Sequence, residues 1–493
     1  MDAGRRSGDV AAIVGHAAAP PARPHHDEED PPVPQSHPPA PELVGLRSDP
    51  GRLARYNAGR ALRDRVPRES HANWASAHDR PDPVGLLEEQ ATTRIPDLVR
   101  IRYGRMSASP FAFYRGAALV MAADLSTTPS TGRKVQLAGD AHVANFGLYA
   151  SPERDLLFDV NDFDETLPGP WEWDVKRLAA SVVVASRSLG HRRSDGLTAA
   201  RAAVGTYRTI TRRLAGLRTL DLWYARIDEA EIASVARGPA ARMFKAVVAH
   251  ALDHDSLHAL ATTTDGPTGD PRIVDDPPLI QHRPDLVDVD RLQGRFERYR
   301  GTLESDRREL LRRYRLVDVA IKVVGVGSVG THCYVALLLA GPGDPLFLQV
   351  KEAQASVLER FVGKSRLRSH GERVVAGQRI VQAASDAFLG WGHDVDGRDY
   401  YWRQLRDWKG SFDVTAMRAV DLLEYARLCG AALARAHARS GDPVEVTGYL
   451  GSSDAFDRAI ASFAEAYADQ TERDLASLRA AVKSGRITAE MGV

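Results

Sequence analysis

KVVGVGSVGTHCYVALLLAGPGDPLFLQVKEA, residues 322–353, is the stretch whose reading decides the fold. It contains Gly325-Val326-Gly327-Ser328-Val329-Gly330, a GxGxxG run that suits two different architectures. A dinucleotide-binding unit needs a helix straight after the last glycine, because the helix N-terminus receives the pyrophosphate. Here Thr331, Cys333, Val335 and Leu337 alternate on one face, and Gly341-Pro342-Gly343-Asp344 follows as a turn. That is the pattern of a strand and a hairpin. The stretch therefore reads as strand, glycine loop, strand, turn, strand, with the loop lying over phosphates. A dinucleotide-dependent oxidoreductase rests on the glycine run alone. Lys351 falls on the third strand, where a buried lysine needs an anionic partner. Nucleotide phosphates and a helix glutamate are its natural partners; the alternative is an edge-strand lysine reaching water. Glu352, Glu359 and Glu372 are candidates for that glutamate. Glu372 opens the periodic run GERVVAGQRIVQAA, so a helix would carry it towards the sheet, unless it makes a helix-surface salt bridge instead.

Upstream lies Gly139-Asp140-Ala141-His142-Val143-Ala144-Asn145, just after the strand pattern KVQLA. Phosphoryl transfer needs a carboxylate to position or deprotonate the acceptor and an amide oxygen to hold Mg2+ nearby. Asp140 and Asn145 supply both from one turn. The alternative reading is Asp and Asn as turn formers around a core histidine. Next comes LLFDVNDFDE, residues 156–165, with Asp159, Asp162, Asp164 and Glu165 at the end of an apolar strand. Like charges so close repel unless a cation or a positive side chain neutralises them. An all-oxygen set suits Mg2+ or Mn2+ rather than zinc; an acidic turn facing water is the alternative. The turn at 151–155 makes this strand–turn–strand, which brings the Asn145 loop beside the acids.

The chain has 493 residues, enough for two or three domains or lobes. Lys+Arg and Asp+Glu both number 65, so no bulk field draws the chain to nucleic acid or an anionic membrane. Two cysteines, Cys333 and Cys429, rule out a disulfide scaffold and fit a reducing cytosol. The N-terminus lacks a signal-peptide core. The apolar runs fall short of the roughly 20 residues that span a bilayer. A cytoplasmic protein is expected. Residues 1–45, rich in Pro, Ala, His and Asp, read as a disordered tail, whose HHDEED cluster would at most hold a metal weakly. Residues 46–125 read as helical, with Ser109-Pro110 as a cap and first turn. Arg100, Arg102, Arg105 and Arg115 surround SPFAFY, either to clamp phosphate or to lay their stems over aromatics. Helices are expected at 173–189, 195–260, 289–313 and 354–388, and again from 414 to 485. A loop is expected at 262–290 and a strand at YYWRQLRDW. RQLRDWK, 403–409, is a lobe connection or charged surface.

The strings AGDAHVANFGLY, FDVNDFDETLPGPWEWDVKRLAAS, KVVGVGSVGTHCYVALL, FLQVKEAQASVLE and YYWRQLRDWKGS together resemble the bacterial domain-of-unknown-function family numbered 2252, over about residues 50–485. The resemblance implies an α+β fold of two lobes, like protein kinases and aminoglycoside phosphotransferases. GDAHVAN is similar to the phosphotransferase loop HGDxHxxN, with Ala138 where those enzymes often have a first histidine. It implies catalytic roles for Asp140, His142 and Asn145, with Asn145 also a metal ligand. Asp162, followed by Phe163, looks like the metal-binding DFG-type aspartate, with Asp159 and Asp164 as rivals. Asp174 resembles the aspartate that buttresses the catalytic loop. Gly325, Gly327, Ser328, Gly330, Lys351 and Glu372 would serve the nucleotide. The glycine loop follows the catalytic loop by 185 residues (325 − 140), the reverse of kinase order, so a circular permutation is inferred. The expected parts are a tail (1–45), a helical large lobe (46–300), a small nucleotide-binding lobe (301–410) and C-terminal helices (411–493). The implied function is an ATP- and Mg2+-dependent phosphotransferase with an unknown acceptor. Nucleotidyl transfer and a non-catalytic pseudokinase or scaffold are the alternatives.

Overall fold

Proline opens four of the first helices: Pro50–Arg65, Pro83–Ala91, Pro96–Ser107 and Pro110–Gly116. At the first helical position its missing N–H costs nothing and its φ is already helical. Asp49, Asp82 and Ser109 precede three of them, and their side chains accept N–H bonds from the first turn. The computed structural model describes residues 49–492 except 236–237, 254–255, 267–270, 287–288 and 406–407. The expected tail, with its His and acid cluster, lies outside the described residues.

The fold is mixed α+β. Strands β1 (Lys134–Leu137), β2 (Phe146–Ala150), β3 (Leu156–Val160) and β4 (Leu167–Pro170) follow the opening helices. β2 and β3 form an antiparallel hairpin, as the turn at 151–155 predicts, and β4 pairs with β1. The short LPGP strand was illegible because two prolines in four residues read as a turn. A second sheet runs β5-β6-β7-β8-β10-β9. Its strands are β5 (Ile280–Gln281), β6 (Arg315–Lys322), β7 (Cys333–Gly341), β8 (Asp344–Ala353), β9 (Gly390–His393) and β10 (Asp399–Gln404). β7 starts three residues after Gly330, with no helix there, so the oxidoreductase reading loses the element it required. β7 and β8 pair antiparallel, with Cys333 opposite Lys351. β11 (Gly410–Ser411) returns to pair with β2. The helix expected over 354–388 is two helices, Glu359–Val362 and His370–Val381. The run GKSRLRS between them has no apolar face to bury, and Gly363 takes φ +100°.

The main hydrophobic core is built on helix Trp171–Ser188, buried from Trp171 through Ser186. Helices Arg193–Ala215, Ala419–Ser440 and Ala455–Lys483 pack around it. Trp171 stacks on Tyr207 at 5.8 Å. Arg80 bridges Asp124 and Asp474, both buried, with N···O distances of 2.6–2.8 Å, and so ties the N-terminal segment to the last long helix.

Inside this core Lys176 is fully buried. Its Nζ donates to Thr128 Oγ1 at 2.8 Å and lies 5.1 Å from the Phe463 ring. Burial pulls the ammonium down to about 7, against the pull of Glu172. A lowered basic group costs stability wherever the unfolded chain binds the extra proton, so this cost is full below about pH 7 and vanishes towards the free lysine value near 10.4. Lys176→Met is therefore expected to melt above wild type, with an advantage that is largest at pH 7 and below and shrinks towards pH 10. Thermal melts of both proteins across that range check it; a gain that is flat or grows with pH refutes it.

Candidate active site

The loop 138–145 is held from three sides. Asp174, on the first turn of helix Trp171–Ser188, accepts from the backbone N–H of Ala138 at 2.7 Å and of Gly139 at 3.1 Å. Ser181 Oγ accepts from Val143 N at 3.0 Å, and Tyr425 OH donates to the carbonyls of Val143 and Phe146. Ala138 supplies no side-chain anchor, but His437 from a C-terminal helix does: Nε2 lies 3.3 Å from Asp174 and Nδ1 2.9 Å from Tyr207 OH. Gly139 is required here, because φ is +84° and a Cβ would stand 2.2 Å from the Glu165 carbonyl oxygen. That contact keeps the loop against the acidic segment.

Asp140 is clamped by Arg177, at 2.7 Å to Nε and 2.6 Å to a terminal nitrogen. Burial pushes the Asp140 carboxyl up, and Arg177 opposes it. His142 Nε2 is 3.7 Å from Asp140. Burial, with Arg177 and Arg115 nearby, holds the His142 imidazole well below its usual range, hence neutral. Asn145 Nδ2 donates to the Asp140 carbonyl at 2.7 Å. The Asn161 N–H donates to the Asn145 carbonyl at 2.8 Å, so the open end of the β2–β3 hairpin sets the acids beside the loop.

Lys351 reaches these acids from β8. It is 2 % exposed, ion-pairs with Asp164, and lies 3.8 Å from Asp162. Tyr401 OH on β10 and Ser328 Oγ on the glycine loop both donate to Asp164, at 2.8 and 3.2 Å. Burial and the Asp164 charge push the Asp162 carboxyl up. Burial works upward on Asp164 too, but Lys351 and Tyr401 outweigh it and hold that carboxyl below its ordinary value. Burial disfavours the Lys351 charge, yet the two aspartates more than offset this and raise it.

The glycine loop is held by arginines of the N-terminal segment. Arg105 donates to the Gly325 carbonyl at 2.6 Å, Arg94 donates to Val329 O, and Ile95 N donates to Gly330 O at 2.7 Å. Gly330 sits at φ +90°, with the Arg94 stem 3.1 Å from where a Cβ would be. Asp140, His142, Asn145, Asp162, Asp164, Gly325, Gly327 and Ser328 all line one cavity of about 630 Å3. A second cavity, about 750 Å3, lies by the β7–β8 turn and the end of β10, and none of these aspartates lines it.

Two expected residues are placed elsewhere. Asp159 points into the core, 1 % exposed, where it ion-pairs with Arg435 and accepts from Ala383 N. It is two residues before Asn161 on a strand buried along its whole length, so alternation alone did not reveal its destination. Glu372 lies in the first turn of helix His370–Val381 and is not a partner of Lys351. Its neighbour Arg373 docks that helix instead, donating to the carbonyls of Asp164, Thr166 and Gln354. Of the four arginines around SPFAFY, Arg100 pairs with Glu490 at the surface and Arg102 is buried against Gln90 and Gly116 O. Arg105 holds the glycine loop, and Arg115 lines the cavity. Sequence reading missed Arg94, Arg177, Tyr401 and Arg373, because each acts on a partner distant in the chain.

Among the described residues no group of three or more His, Cys, Asp or Glu forms a metal-holding cluster. Asp162, at 3.8 Å from Lys351 rather than in its close pair, and the Asn145 amide are the oxygen donors left facing the cavity. One or two carboxylates, with the remaining positions filled by phosphate and water, is how proteins usually hold Mg2+. The donors present fit that ion.

Among the described residues no helix is long and apolar enough to cross a membrane. Comparison with family models matches residues 94–481 to a family described as an uncharacterized protein conserved in bacteria (DUF2252). No curated protein and no solved structure matches.

Proposed function

The chain belongs to the bacterial family DUF2252, and we propose that this member is an ATP- and Mg2+-dependent phosphotransferase with kinase-like lobes in permuted order. The observation that carries this is Asp164, backed by the buried Lys351 and bonded to Ser328 of the glycine loop, in one cavity with Asp140, Asn145 and Asp162. In this reading the loop N–H groups and Lys351 hold the nucleotide phosphates. Asp162 and Asn145 are the residues that would hold Mg2+, which when bound neutralises phosphate charge. Asp140 orients the acceptor hydroxyl. Arg177 fixes the direction in which that carboxylate points, which suits positioning of the acceptor.

The Asp140–Arg177 pair also favours a second reading, a nucleotide-binding protein without turnover, because the carboxylate is already occupied by a fixed guanidinium. Purified protein incubated with Mg2+ and ATP labelled at the γ or the α position, against metabolite pools and against itself, separates the outcomes. Transfer of γ-label supports the phosphotransferase. Transfer of α-label means nucleotidyl transfer, and binding without transfer means a non-catalytic module.

Binding alone gives a simpler result. A ligand that binds only the folded state at a hundred times its Kd stabilises by about 2.7 kcal/mol. ATP with Mg2+ is expected to raise the melting temperature, and Asp162→Ala to remove the Mg2+-dependent part. A melting temperature indifferent to millimolar ATP, ADP and GTP would refute nucleotide binding.

A further inference from the structure

Helix Pro110–Gly116 carries Arg115 to the wall of the 630 Å3 cavity that Asp140, Asn145 and Asp162 also line. The other arginines around this site have fixed partners. Arg177 has Asp140, Arg373 has three carbonyls, Arg403 has Gln349 and Asn161 O, and Arg435 has Asp159. Arg115 forms no hydrogen bond or ion pair among the described residues, and its Nε is buried without an acceptor. Its nearest carboxylate influences, Asp140 and Asp162, are already held by Arg177 and faced by Lys351. Arg94, on the same cavity wall, uses one nitrogen on Val329 O, and its Nε too is buried without an acceptor.

Arg115 is half-buried, its Nε shielded from water without a partner; such partial desolvation of a guanidinium is costly, and an anion arriving at its open nitrogens would offset it. Its planar fork of donors matches the oxygens of a phosphate. We propose that Arg115, with the free edge of Arg94, forms an oxyanion subsite that clamps a phosphate group in this cleft, supplied in cis by the N-terminal helices rather than by the glycine loop. The inference rests on the phosphate-binding reading of the cleft but needs neither Mg2+ nor turnover. It places a basic wall beside the acidic one, so a phosphate between them meets the glycine loop on one side and Arg115 on the other.

The test is titration calorimetry of the full chain with sodium tripolyphosphate, with no Mg2+, on wild type, Arg115→Met and Arg115→Lys. Methionine keeps the stem and removes the charge. The expected result is at least a tenfold loss of tripolyphosphate affinity in Arg115→Met and a smaller loss in Arg115→Lys. The ligand-free melting temperature of Arg115→Met should be equal to wild type or higher, because a half-buried cation without a partner has gone; a merely structural arginine would lower it. Competition with ATP identifies the source: displacement assigns the clamp to the nucleotide tail, and simultaneous binding assigns it to the acceptor's own phosphate. Wild type that does not bind tripolyphosphate, or Arg115→Met and Arg115→Lys that bind it as wild type does, overturns the inference. Undiminished γ-label transfer by Arg115→Met would remove the clamp and leave the phosphotransferase standing. Tripolyphosphate binding through Arg115 without any response to Mg2+ or any label transfer would do the reverse.

Discussion

Lys351→Met is expected to lose nucleotide-dependent stabilisation and to reduce any label transfer by about a hundredfold or more, the scale seen when one preorganised donor to a developing phosphate or oxyanion charge is removed. The lysine is 2 % exposed and is the cation that faces both Asp162 and Asp164. Methionine fills the same stem volume and leaves two carboxylates to repel each other. Asp164 keeps bonds from Tyr401 and Ser328, and its side chain is 27 % exposed. Solvent therefore screens part of the repulsion, and the stability cost should be about 1–3 kcal/mol rather than the full penalty of a buried broken pair. Thermal melts with and without ATP, beside the label assay, check both parts. ATP affinity equal to wild type in a folded Lys351→Met variant would sink the nucleotide-phosphate role.

Arg435→Met is expected to be the more damaging change to the fold. Arg435 and Asp159 are 2 % and 1 % exposed, and Arg435 also donates to Val381 O at 2.7 Å. The pair fastens β3 to the end of helix His370–Val381 and to helix Ala419–Ser440, which follows β10 in the chain. Removing the cation strands a buried carboxylate, at a cost of about 3–5 kcal/mol. Removing both charges, Arg435→Met with Asp159→Leu, should recover more than half of that loss, since a buried pair contributes little beyond its own desolvation. Urea denaturation midpoints of the single and double variants measure the coupling. A single variant within about 1 kcal/mol of wild type, or a double variant no better than the single, would show that the pair is not the fastening described.

Neither result was legible from one segment. The spacing of Asp159, Asp162 and Asp164 marked a cluster needing neutralisation but not which cation would serve which acid. Asp159 takes Arg435, 276 residues away, and Asp164 takes Lys351, 187 residues away (351 − 164). Glu372 was one of three candidates to serve Lys351, because the helix it opens would carry it towards the sheet. The helix arrives, but Arg373 is the side chain that turns towards the acids. Partner choice among long charged side chains is decided by sub-ångström packing of elements whose separation no local pattern encodes.

What the chain's own order of residues determined is everything carried by a short-range rule. Alternation after Gly330 made β7 a strand, because side chains on a strand change face at every residue. Ser109-Pro110 started a helix, because a side-chain oxygen and a fixed φ satisfy its first turn. The turn at 151–155 folded β2 onto β3 and so set Asn145 beside Asp162, since hairpin pairing follows once the turn is given. Only the tertiary structure decided the rest: that Asp174 and His437 stand in for a missing loop anchor, that Arg94 and Arg105 hold the glycine loop from outside, and that Arg115 faces the cavity without a partner. The physical reason is range. Backbone sterics and hydrogen bonding act within a few residues, whereas burial of charge is a property of the assembled interior, where a group's cost depends on what the whole chain brings within reach.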